Sequence, residues 1–238
     1  MSNEGINFLY DGWSKTTKDF ILISYISMDP IIATLFQFAV LIFSVIVHEV
    51  SHGLMALKLG DETAKREGRL TMNPIPHLDP IGSFILPLIL YISGSPIMLG
   101  WAKPVPYNPL ALFKDFKYGP LKVALSGPLS NLAIAIVFGF ILRFGGGLLP
   151  MTMVPLIQII VLINSLLFVF NMLPIPPLDG SKILTTFLPF EYARRLENMG
   201  LMGIMWVFLF LMLFPGFIQG LAIMVADFIL GPYSFMAR

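Results

Sequence analysis

The chain contains no cysteine. That excludes disulfides, thiolate nucleophiles and thiolate metal ligands, so a transition metal here depends on imidazole and carboxylate. Charge is scarce too: Asp, Glu, Lys and Arg make up 12% of the 238 residues, their net is +1, and there is no block of like charge. Neither a nucleic-acid footprint nor an acidic-substrate groove is indicated, and no nucleic-acid partner is expected. The first 18 residues lack the basic start, apolar core and small-residue cleavage site of a secretory signal peptide, so retention of the N-terminus is expected.

What is abundant is apolar surface. Hydrophobic residues make up 56% of the chain and the mean hydropathy is +0.82, far above the composition of soluble domains. The lipid bilayer is therefore the expected solvent. A hydrocarbon core of about 30 Å takes roughly 20 helical residues to cross. Residues 31–58, 121–143 and 151–173 meet that length. A fourth run, 201–230, is interrupted by Pro215-Gly216 and reads as one kinked span in preference to two half-length pieces. The stretch 81–101 is apolar but broken by Pro87, Gly94, Pro96 and Gly100, and Gly-Trp-Ala-Lys-Pro-Val-Pro (100–106) favours extended backbone because residues before proline avoid the α region. It reads as a re-entrant, partly β-strand element, which at membrane depth is tolerated only where it lines protein or a water-filled cavity.

Basic residues decide how that element runs, because Lys and Arg gather on the cytoplasmic side. If 81–101 returns to the side it left, eleven of the 15 Lys and Arg share one side; a single crossing gives only nine against six. The re-entrant arrangement is preferred. Loops are expected at 61–80 and 102–120, and a surface helix carrying Arg194 and Arg195 at 181–198. The expected fold is one membrane-embedded domain over 1–238, an all-α polytopic membrane protein with about four membrane-spanning helices plus the re-entrant element.

Residues 48–52 read His-Glu-Val-Ser-His inside the first apolar run. Four residues of helix turn through about 400°, so both imidazoles point the same way, one turn apart, and can grip one metal ion. Glu49 is held beside that ion, placed to take a proton from an attacking water and pass it to the leaving amine. Ionisable groups within a membrane helix are costly unless they are bound or functional. A catalytic zinc has three protein ligands and one open position, and the candidates for the third are His77, Asp79, Asp179 and Asp227. Asp179 comes after the third span, where prolines stop the helix and Gly180 permits a tight turn. In the re-entrant topology it shares a side of the membrane with His48 and His52. A single crossing would put them on opposite faces.

Taken together, His-Glu-Val-Ser-His-Gly (48–53), Ser-Gly-Pro-Leu-Ser-Asn (126–131) and Asn171-x-x-Pro174 through Leu178-Asp179-Gly180 resemble the site-2 protease family of intramembrane zinc metallopeptidases. Gly-Arg-Leu-Thr-Met-Asn-Pro (68–74), His77-Leu-Asp-Pro and the 100–106 run resemble its compact bacterial and archaeal branch, which lacks PDZ and CBS domains. The resemblance implies one Zn²⁺ per chain on His48, His52 and Asp179, with Glu49 as general base and acid. It also implies membrane-spanning protein substrates, held extended by the element after the metal helix. A multi-pass protein of the cell membrane is expected, with its active site near the cytoplasmic side. Asn131 is a candidate for polarising the scissile carbonyl or positioning substrate, although a helix–helix hydrogen bond explains it as well. Asn171 is a second such candidate, or a cap for the turns around the prolines. His77 reads as structural before it reads as a ligand.

Two rival readings differ in class. A divalent-cation transporter also places histidines and carboxylates in membrane helices, but needs no base between two histidines. A catalytically silent homologue would not need all four of these residues.

Overall fold

A computed structural model of the chain describes residues 29–85, 88–89, 92, 102–214 and 216–234. Helix α1 runs from Pro30 to Leu59, about 45 Å at 1.5 Å per residue. Its outer face carries Leu35 and Phe38, both more than half exposed, as suits contact with lipid. Gly60, at φ +115°, ends the helix, and Asp61 organises the turn beyond it. One of its carboxylate oxygens accepts the Thr63 N–H at 2.9 Å and the Thr63 hydroxyl, starting the short helix α2 (Thr63–Arg66). The other accepts the Asn108 N–H at 2.6 Å.

Beyond α2 the chain makes a 3₁₀ turn at Ile75–His77 and a wide π turn at Pro80–Ile85. Most of the expected re-entrant, partly stranded element at 81–101 lies outside the described residues. Among the described residues there is no β-strand, and 102–108 is a run without helix or turn.

Helix α3 (Gly119–Gly145) contains Pro128 in its interior, and helix α4 spans Met153–Asn171. With α1, these are, among the described residues, the three helices long and apolar enough to cross a membrane. The expected surface helix 181–198 is two pieces, α5 (Ser181–Phe187) and α6 (Phe190–Glu197). Leu188 sits at ψ 151° between them, because the ring of Pro189 bars its predecessor from the α region. No residue of α6 is buried, and Arg194 and Arg195 occupy its last turn.

The 201–230 run is likewise divided, into α7 (Leu201–Leu213) and α8 (Phe217–Leu230), with Gly216 at φ +80° between them. At 13 and 14 residues each is about 20 Å long, and the interruption falls where it is expected. Counting α6 and α7, bent by 79°, as one broken span brings the total to four. The protein is an all-α polytopic membrane protein.

By packing, the chain falls into two compact units. One comprises Met1–Leu41, Leu132–Val169 and Phe214–Arg238, and its core joins Ala135 and Leu142 of α3, Val154 and Val161 of α4, and Ala226 and Leu230 of α8. Helices in lipid associate through close van der Waals contact, which small residues permit. Gly139 serves that end: a β-carbon there would collide with Ile229. The other unit, Ile42–Asn131 with Phe170–Leu213, has Ala56, Leu59, Leu112 and Val123 at its core and carries His48, Glu49, His52 and Asp179.

Candidate metal centre

His48 and His52 lie one turn apart on α1, both buried, at 6% and 9% exposure. Their Nε2 atoms are 3.0 Å apart. Asp179, in the loop between α4 and α5, brings Oδ2 to 3.1 Å from His48 Nε2 and 3.3 Å from His52 Nε2. Among the described residues these three form the group able to share an ion. Of the other candidates, Asp79 accepts the N–H groups of Ile81 and Gly82 at the π turn. His77 bonds through Nε2 to the Thr71 carbonyl, and Asp227 belongs to the other unit.

The loop that presents Asp179 is shaped by its prolines and closed by a hydrogen bond from the Gly180 N–H to the Asn171 carbonyl at 2.7 Å. Gly180 cannot be replaced cheaply, since a β-carbon would strike the Met172 and Leu173 carbonyls.

Hydrogen bonds fix the histidine tautomers. His52 Nδ1 lies 2.7 Å from the Val123 carbonyl, which can only accept, so Nδ1 carries the proton. His48 Nδ1 lies 2.7 Å from Asn131 Oδ1. That amide is oriented by its Nδ2, which donates to the Ser44 carbonyl at 3.2 Å. In the neutral imidazoles both Nε2 atoms therefore present lone pairs toward each other and toward a carboxylate. Protonating both would set two imidazolium N–H groups head to head at 3.0 Å, whereas one divalent cation would satisfy all three donor atoms at once. Ligands about 2.0–2.1 Å from a tetrahedral zinc are separated by about 3.3 Å, and the three observed separations of 3.0–3.3 Å fit that figure. Outward N–H groups held by carbonyl oxygens are the usual support for metal-bound imidazoles. Burial acts to raise the Asp179 pKa, but when the imidazoles carry Nε2 protons their hydrogen bonds to the carboxylate outweigh it and hold the carboxyl below the usual carboxylate value.

Helix α3 makes room for the ion. A β-carbon on Gly127 would lie within 2.6 Å of His48 Nε2 and closer still to His52. Pro128 removes the N–H that would bond the Ala124 carbonyl, loosening the helix beside Val123, whose carbonyl holds His52. Asn131, fully buried, bonds both His48 and Ser44, an arrangement that would support His48 as a metal ligand. Asn171 does line the cleft over the centre, together with Glu49, Val105, Tyr107 and Lys182. Glu49 Oε2 accepts the Val105 N–H at 2.8 Å. Burial pushes the Tyr107 phenol above its ordinary pKa, keeping it protonated, and Lys182 pairs with Glu197 at 2.6 Å.

Reading the residues in sequence did not single out the Val123 carbonyl, Val105, Tyr107 or Lys182, nor the reason for a glycine at 127. The one visible signal was Gly127-Pro128 inside an apolar helix, where both residues are otherwise unfavourable.

The model of Peptidase family M50 matches residues 146–215, the stretch that contains Asp179. A Bacillus subtilis protein named "Putative zinc metalloprotease YwhC" is 40% identical over 156 residues, 63% of this chain and 67% of its own. "Putative zinc metalloprotease Rip2" of Mycolicibacterium smegmatis is 28% identical over 65% of this chain and 58% of its own. "Putative zinc metalloprotease MJ0611" of Methanocaldococcus jannaschii is 40% identical over 37% and 44%. No solved structure matches the chain. The likeness to the Bacillus protein extends over two thirds of that relative, and the chain accordingly belongs to peptidase family M50, the site-2 protease family of membrane metallopeptidases.

Proposed function

We propose that this protein is an intramembrane zinc endopeptidase that cuts membrane-spanning protein substrates, using one zinc per chain on His48, His52 and Asp179. The observation that carries the reading is the triangle of two Nε2 atoms and one carboxylate oxygen, 3.0–3.3 Å on a side, with Glu49 in the same cleft. Zinc, when bound, supplies Lewis acidity and lowers the pKa of a water to about 7.

The chain's own residues do the rest. Val105 holds one oxygen of Glu49, and the other, Oε1, has no protein partner among the described residues. Oε1 takes a proton from the attacking water and delivers it to the departing amine. Asn171 and Tyr107, far apart in sequence but in one cleft, position the substrate backbone. A helical substrate must unwind before its peptide bond is reachable, and the non-helical run at 102–108 offers it an extended partner. The concentration of Lys and Arg in the loops supports a location of this cleft near the cytoplasmic side of the cell membrane.

The test is Glu49→Gln in the purified full chain. It should keep its zinc and lose cleavage of a single-span membrane substrate by at least about 100-fold. Cleavage at the wild-type rate would refute the assignment of Glu49.

A further inference from the structure

Arg69 is 5% exposed, and among the described residues no carboxylate pairs with it. A buried cation without a counter-charge is costly, so its surroundings should explain it. What surrounds it is main-chain carbonyl oxygen. Nη1 donates to Pro76, and Nη2 donates to Lys103 at 2.7 Å and to Pro104 at 3.1 Å. The partner segment needs such a donor, because Pro104 and Pro106 have no N–H and cannot take part in a regular ladder. Among the described residues its one main-chain tie is Lys103 N–H to the His77 carbonyl, at 2.8 Å.

The Pro104 carbonyl and the Val105 N–H belong to one planar peptide unit and point in opposite directions from it. Arg69 grips the oxygen of that plane, and Glu49 Oε2 accepts from its nitrogen at 2.8 Å. The side chain of Val105 anchors the same plane: it is buried against Gly53, where a β-carbon would come within 2.9 Å of it. A guanidinium is a rigid fork able to span several carbonyls, whereas an ammonium is a single point of charge.

We infer that Arg69 is a positioning residue of the catalytic centre, which orients the Val105 N–H through the Pro104 carbonyl and so holds one oxygen of Glu49 while Oε1 is left for proton transfer. This rests on Glu49 acting as the proton carrier.

The experiment uses the zinc-loaded full chain in detergent, with a single-span membrane peptide as substrate and hydrogen–deuterium exchange as a second readout. Arg69→Lys should retain its zinc and lower kcat about 10–100-fold, since small misplacements cost that much, with KM changed less than about two-fold. Exchange at the Lys103 and Val105 amides, the only N–H groups in 103–106, should rise while α1 stays protected. Val105→Pro deletes the connecting N–H, leaves the three carbonyls in place, and should lower kcat equally with zinc retained; it decides the matter if Arg69→Lys does not fold. Wild-type kcat in either variant would overturn the inference. So would a loss of zinc accompanied by faster exchange along α1, which marks a merely structural role. A Glu49→Gln protein that still cleaves would instead fail the underlying reading of Glu49.

Discussion

Asn131 Oδ1 accepts the Nδ1 proton of His48 at 2.7 Å across 83 residues of sequence. The bond joins α3 to α1 and fixes which imidazole nitrogen faces His52 and Asp179. Supporting partners of this kind are worth roughly 10–100-fold in metal affinity. Asn131→Ala is expected to weaken zinc binding by that factor in competition with a chelator, whereas Asn131→Asp, which can still accept from Nδ1, should retain most of it. Equal affinity in Asn131→Ala and wild type would show that the bond orients nothing.

Gly127 is required by space. Its missing β-carbon is the volume beside both Nε2 atoms, so Gly127→Ala should yield a folded, membrane-inserted protein with little or no zinc. Folding is expected to survive because alanine favours a helix interior by about 1 kcal/mol over glycine. Elemental analysis of the purified variant checks it. Full zinc occupancy would mean that α3 can retreat from α1 at no cost.

Asp61 ties the end of α1 to the 102–108 run. Burial acts to raise its pKa, but the bonds from Thr63 and Asn108 and the nearby Arg66 charge outweigh this and hold it below the ordinary value. A carboxyl lowered on folding contributes stability that is present above its unfolded pKa, near 3.9, and is lost as pH falls through the folded value. Thermal stability of the wild type should therefore decline below about pH 4. Asp61→Ala leaves the Thr63 and Asn108 donors without their acceptor and should cost about 1 kcal/mol at neutral pH, with a flatter acid decline. A variant that melts with the wild type at pH 7 would contradict this role.

Much of the centre was legible because its elements are local. His48, Glu49 and His52 fall on one helical stretch, and the helix period alone brings the imidazoles together. Asp179 was readable from the prolines that end α4 and from the charge count that put both helix ends on one side. Partners met only through packing were harder to read. Nothing in the string Arg69-Leu70-Thr71 announces carbonyls 34 and 35 residues away, and Asn131 read as well for substrate contact as for support. The division of 181–198 was available in Leu188-Pro189, where backbone sterics outweigh an otherwise helical pattern. The break between α7 and α8 lay in Pro215-Gly216, whose two readings differ only in how sharply the helix stops.

Zinc content of the purified full chain, measured for wild type, Asp179→Ala and His77→Ala, tests the centre most directly. One zinc per chain is expected in wild type and His77→Ala, with occupancy lost or sharply reduced in Asp179→Ala. A full complement in Asp179→Ala with loss in His77→Ala would contradict the ligand set on which the proposed chemistry depends.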